Sequence, residues 1–272
     1  MDANQIRFAI FLAIFLLMLG LESVIQRHPT VDVKTRRLKI NLALTGIDIL
    51  VVRLFFGAAA VGAAQFAGER GWGLFNYLEW PEGLETFFCV IILDLMIYIQ
   101  HVVLHMIPFF WRFHIVHHSD LDLDVSSGLR FHPIEILGSM LYKIGLVFAL
   151  GPSTTTVLIF EAILNGMAQF SHSNITLPES LDRLLRYIIV TPDMHRIHHS
   201  VEKEETNSNF GFNLSVWDRI LGTYVPDALK PQSRIVIGVS QFRTSEEVSF
   251  KNLMMMPFRK VPQNYSLSPE EK

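Results

Sequence analysis

The sequence predicts an all-α, polytopic membrane helix bundle, and three observations carry that prediction. Half of its 272 residues are hydrophobic, and mean hydropathy is positive at +0.32. Several apolar runs approach the length that a bilayer core requires. Most of the 11 histidines are gathered at helical spacings rather than scattered along the chain.

The apolar runs come in order. Residues 8–25 form the first; Glu22 lies inside it and no small-residue cleavage site follows, which argues against a removed signal peptide. The loop RHPTVDVKTRRLK follows, with Arg27, Lys34, Arg36, Arg37 and Lys39; His28 there reads as solvated. The second run, 41–66, carries Asp48 and Arg53, five residues apart, and groups of this kind usually face a bundle interior. In the loop 67–83, Trp72, Phe75, Tyr77 and Trp80 suit a membrane interface. A third span covers 84–106. Pro133 opens a fourth run, 134–150, and Gly151-Pro152 turns the chain into a fifth, 153–171. These last two are short for full spans.

The basic loop is placed in the cytoplasm by the positive-inside rule. Counting spans onward puts 67–83 outside and brings His101 to His132, His172, and His195 to His199 to the cytoplasmic side. Beyond Pro178 the chain is more soluble in character. LDRLLRYIIVTP is amphipathic enough to lie along a membrane surface. Met254–Met256 with Phe258, Arg259 and Lys260 could form an interfacial foot or pack in a core. The single cysteine, Cys89, sits in an apolar run, so it reads as a small buried hydrophobe and no disulfide is possible within the chain. The few basic residues form no stripe with aromatics, which excludes a nucleic-acid partner.

Between Asp94 and Glu135 lie His101, His105, His114, His117, His118 and His132. His101 and His105 are one helical turn apart, and HIVHH puts its three imidazoles on one face. HRIHH repeats that spacing at His195, His198 and His199, with His172 between the two triplets. Neutral imidazole suits iron, zinc, copper or nickel. Eight or nine such ligands exceed the four of a structural zinc, so two metal ions are the economical reading. His132, in RFHPIE, is a ligand or a support for one. Asp94, Tyr98, Asp120, Asp124, Glu135 and Asp193 are placed to orient ligating imidazoles; Asp193 also suits a helix cap. Asn174 and Asn209 suit hydrogen bonds within the site or turn roles equally.

Residues 94–224 resemble the fatty acid hydroxylase/sterol desaturase superfamily of integral-membrane oxygenases. The likeness rests on DxxxYxxH at Asp94–His101, HVVLH, WRFHIVHH, RFHPIE, SHSN, TPDMHRIHHS and WDRILGTY, in that order. It implies a membrane bundle capped by a cytosolic, helical, histidine-rich metal-binding domain holding two iron ions, with zinc as a substitute on overexpression. It also implies dioxygen chemistry on a lipid. His101, His105, His114, His117, His118, His195, His198 and His199 match the family's ligand motifs, and His172 matches its single intervening histidine. Ala168 stands where some members carry a further one. The expected organisation is N-terminal helices and basic loop at 1–83, a catalytic region at 84–224 and a tail at 225–272. No His-Pro-Gly-Gly stretch occurs, so electrons are expected from an external cytochrome b5, ferredoxin or reductase. The short chain favours a bacterial inner membrane. Hydroxylation is favoured over desaturation because it asks for less substrate positioning. Two other classes fit the histidines: a zinc-dependent membrane hydrolase or isomerase, and a non-enzymatic metal-binding membrane protein.

Overall fold

The computed structural model describes residues 3–259; Lys260 of the interfacial foot and the rest of the expected tail lie outside the described residues. Thirteen α-helices follow one another among the described residues: α1 (Ala3–Val24), α2 (Lys34–Phe56), α3 (Ala59–Arg70), α4 (Leu74–Leu78), α5 (Glu82–Met106), α6 (Pro108–His118) and α7 (Pro133–Leu150). Then come α8 (Thr154–His172), α9 (Glu179–Leu185), α10 (Pro192–His198), α11 (Lys203–Thr206), α12 (Val216–Leu221) and α13 (Phe250–Met255). The described residues contain no strand, only three isolated bridges. Helix starts follow from local chemistry. Pro108, Pro133 and Pro192 occupy first-turn positions, and Ser153 and Thr191 cap α8 and α10 with their hydroxyls.

Among the described residues, four stretches are long and apolar enough to cross a membrane: Gln5–Val24, Lys34–Leu78, Glu82–Met106 and Pro133–Leu150. The chain is thus an integral membrane protein, with two differences from the expected spans. The second run is divided, because Gly57 and Ala59 take positive φ and break the helix between α2 and α3. The fifth run, now α8, is not among the four. Thr154–Thr156, Glu161, Asn165 and Gln169 lower its hydropathy. Instead α8 is a central pillar, packed by α1, α3 and α5 and touching α10 at its histidine end.

α1, α5 and α8 run toward the histidines, and α2 and α7 run away from them. The opposite end is sealed where Gly73 meets Gly151: a Cβ on Gly73 would lie 2.2 Å from the Gly151 nitrogen. Trp72, Tyr77 and Trp80 are exposed there, as interface residues should be, whereas Phe75 is buried against Cys89 and Leu93. Asp48 is buried and Arg53 exposed, so they occupy different faces of α2.

The basic loop lies at the histidine end and most of its charges are ion-paired. Arg27 meets Asp193, Lys34 meets Glu22, Arg36 meets Asp32, and Arg37 meets Asp120 and Asp124. The described part of the C-terminal region is woven into the core. Val239, Val248, Leu253 and Met256 pack with Leu44 of α2 and with Trp111, Ile115 and Val116 of α6. Of the expected interfacial foot, Met256 is buried while Met255 and Phe258 are exposed.

Candidate metal centre

Four helices bring nine histidines together. α5 ends with His101 and His105. Ile107–Pro108 turns the chain at once into α6, which carries His114, His117 and His118. His172 is the last residue of α8, and α10 carries His195 and His198 with His199 at its C-cap. The nine fall into two groups: His101, His105, His114, His118 and His198, and beside it His117, His172, His195 and His199. Within each group the ligand atoms lie within 4.8 Å of one another and every residue is buried.

Each HxxHH triplet is shared between the groups, which refines the single-face reading. Residues at i and i+4 are about 40° apart on a helix, while i+3 lies about 60° to the other side. His114 and His118 therefore join the five-histidine group and His117 the other. His195 and His199 join the four-histidine group while His198 crosses over. The groups abut: the His118 and His199 rings stack with centroids 4.4 Å apart.

The hydrogen bonds fix several tautomers. A carbonyl can only accept, so Nδ1 carries the proton in His101 (to Phe210 O, 2.8 Å), His198 (to Ser208 O, 2.8 Å), His117 (to Arg130 O, 3.2 Å) and His172 (to Ala168 O, 2.7 Å). Their Nε2 atoms then present lone pairs. Yet Nε2 of His101 and His198 lie 3.1 Å apart, as do those of His117 and His172. Lone pairs so close repel unless a cation lies between them. Nε2 of His105, His114 and His118 are buried with no hydrogen-bond partner. These features fit metal–imidazole bonds of about 2.0–2.1 Å. Burial, then the neighbouring imidazoles, pushes His117, His118, His195 and His199 well below the ordinary imidazole value; burial pushes His198 down to about 3. Neutral rings are the state a metal needs.

The other residues singled out from the sequence have varied places. Glu135 accepts a 2.7 Å hydrogen bond from His114 Nδ1. His132 stands outside both groups. Its Nδ1 accepts the Ile134 N–H as the N-cap of α7, and its ring packs on Phe113. Asp94 receives Trp217 Nε1 and Leu214 N, and Tyr98 bonds Thr223, so these two hold the 214–223 segment rather than an imidazole. Asp120 and Asp124 pair with Arg37, Asp193 pairs with Arg27 and Arg196, and Asn174 braces His28 through its backbone. Asn209 takes positive φ and bonds the Met194 and Val225 carbonyls, a turn role.

Three supports were not singled out. The segment 207–210 supplies Asn207 Oδ1 to His105 (3.4 Å), Ser208 O to His198 and Phe210 O to His101. Asp218, fully buried, shapes that segment by accepting Phe210 N, Gly211 N and Thr223 Oγ1. Arg130 donates to Val116 O at the end of α6, while its own carbonyl takes His117 Nδ1. Asn-rich 207–213 and the buried-type Asp in WDRILGTY were visible in the sequence, but nothing local ties them to His101 or His198.

Fold and site together define a membrane helix bundle with twin polyhistidine pockets at one end. The fatty acid hydroxylase family model matches residues 86–223, about half of the chain, and the chain belongs to that family. It is 33% identical over 150 residues to ornithine lipid hydroxylase OlsE of Rhizobium tropici, covering 54% of this chain and 43% of that protein. It is 28% identical over 221 residues to alkylglycerol monooxygenase of Xenopus tropicalis (79% and 47%) and 26% identical over 137 residues to human cholesterol 25-hydroxylase (50% and 49%). The chain spans less than half the length of these curated relatives. No solved structure matches it.

Proposed function

We propose that the chain is a membrane lipid oxygenase that hydroxylates or desaturates a fatty acyl or sterol-like substrate, using two iron ions, dioxygen and external electrons. One observation carries the reading: an apolar cavity of about 370 Å³ lies between α5, α6 and α7, linked to the five-histidine group through Glu135. Val103, Leu104, Phe110, Phe113 and Ile134 line it, and so does Glu135, whose carboxylate holds His114. A hydrocarbon lodged there is one side chain away from a metal ligand. Ile99, Phe109 and Ile134 on the same wall are part-exposed, at 39%, 61% and 42%, so the cavity faces sideways toward lipid. A substrate already in the bilayer would enter without crossing water.

Iron bound by the nine histidines would supply the dioxygen activation and one-electron chemistry that side chains lack. The protein's own part is positional. Glu135 fixes the tautomer and raises the basicity of His114, and the apolar wall excludes water and aligns the chain. The relatives' names favour hydroxylation and a lipid with one polar end. The Rhizobium relative favours a bacterial inner membrane, and the basic loop at the histidine end favours histidines facing the cytoplasm. The donor would be a cytochrome b5, ferredoxin or reductase.

Mössbauer spectra of protein purified from iron-57-fed cells test the proposal, together with reductant-dependent oxygen uptake on membrane lipids. About two coupled irons per chain and oxygenated lipid are the expected outcome. Folded protein that binds no metal, or turnover without oxygen, would overturn it.

A further inference from the structure

We propose that an edge of the histidine-bearing half, formed by Tyr187, Ile188, Ile220 and Leu221, is embedded in the acyl region of the leaflet at the histidine end. These side chains are 65%, 62%, 66% and 53% exposed, far more than large apolar groups facing water in isolation would be gathered. They come from separate stretches held together by backbone: Ser215 N bonds Ile188 O, and Ile189 bridges Leu214.

Depth follows from the contacts with α5. At 1.5 Å per residue, Asp94 lies roughly 18 Å and His101 roughly 28 Å from the Glu82 end of that helix. The hydrocarbon core is roughly 30 Å thick. Leu214 N and Trp217 Nε1 bond Asp94, so this segment sits about two turns deeper than His101, beside a transmembrane helix. Ile188 is bonded at the same level, and Ile220 and Leu221 complete the turn of α12 that Trp217 begins. Water at that depth would have to displace lipid from the flank of α5. The nearby charge is shielded by aromatic rings: the Arg219 guanidinium lies over Tyr187 and Tyr224, at 5.1 and 3.8 Å from the ring centroids. The occupant is therefore the lipid leaflet itself, continuous with the lipid around α5. This edge lies on the face of α5 that carries Asp94 and Tyr98; the cavity lies on the face with Ile99 and Val103.

The test is electron paramagnetic resonance of single spin labels in lipid nanodiscs. Labels are placed on the full-length chain at Ile188→Cys, at Ile220→Cys and, as the aqueous reference, at exposed Glu204→Cys. Cys89 is fully buried, so the unsubstituted chain serves as the labelling control. Metal content equal to the parent's establishes that each variant is folded. Collision with dissolved oxygen relative to a water-soluble nickel chelate should be several-fold higher at 188 and 220 than at 204. Ratios at 188 or 220 equal to that at 204 would overturn the proposal. Labels shielded from both reagents would also overturn it, since protein would then cover the edge.

Discussion

His118 and His199 stack face to face, yet they belong to pockets backed in different ways. On the five-histidine side, His114 leans on the carboxylate of Glu135, and His101, His105 and His198 lean on the irregular segment 207–210. That side borders the apolar cavity. On the four-histidine side, His172 bonds a carbonyl of its own helix and His117 bonds the Arg130 carbonyl. Beneath lies a buried network of Arg37, Asp120, Asp124, Asn41 and Arg130. There Gly128 is pressed against His172, and a Cβ would come within 3.2 Å of the ring. A carboxylate raises imidazole basicity more than a carbonyl does, and a loop yields more readily than a helix. The comparison teaches that the two pockets differ in setting: the first borders the apolar cavity through Glu135, the second is anchored in the scaffold.

The largest test of that contrast removes one ligand from each pocket. His198→Ala and His117→Ala should each lower activity by more than about 100-fold. Metal analysis should find the loss in the pocket that owns the residue, and a variant retaining two metals would break the assignment. Glu135→Gln should lower activity by about 10–100-fold, and metal in the four-histidine pocket should persist by spectroscopy. Asp218→Asn keeps the shape but weakens the grip on Phe210 and Gly211. Its metal affinity should drop by about 10-fold, confined to the five-histidine pocket.

Acidity sharpens the comparison less selectively. His198 falls to about 3 from an ordinary 6.5 through burial, so between those values the unfolded chain binds a proton that the folded one rejects. The metal-free protein should lose stability as pH falls through that window and change little above it, as thermal unfolding in detergent at pH 7.5 and pH 5 would show. The smallest effect is expected outside both pockets. His132→Ala removes a helix cap, worth about 1 kcal/mol, and should leave both metals in place.

Much of this was legible before any coordinates. HVVLH, HIVHH and HRIHH are local, and a helix converts spacing into direction, so the gathering of eight imidazoles followed from sequence periodicity, while His172 entered through the span count and the resemblance. The apolar runs gave the bundle for the same reason. His132 was harder, because RFHPIE offers a ligand and a cap at one position, and only the place of Ile134 N–H separates them. The break at Gly57–Ala59 lay inside a continuously apolar run, which carries no signal of backbone direction.

The sequence by itself determined the helical membrane class, eight of its ten candidate ligands and their common end of the bundle, because each depends on short-range spacing or on the order of the apolar runs; His172 came through the span count and the resemblance, and His132 stayed ambiguous. Only the tertiary structure decided which histidine belongs to which pocket, that Glu135 rather than Asp94 meets an imidazole, and that 207–210 and Asp218 brace the five-histidine side. Those pairings join residues up to 109 positions apart, as His101 and Phe210 are. They are set by how the helices pack and where the chain returns, which no local pattern encodes.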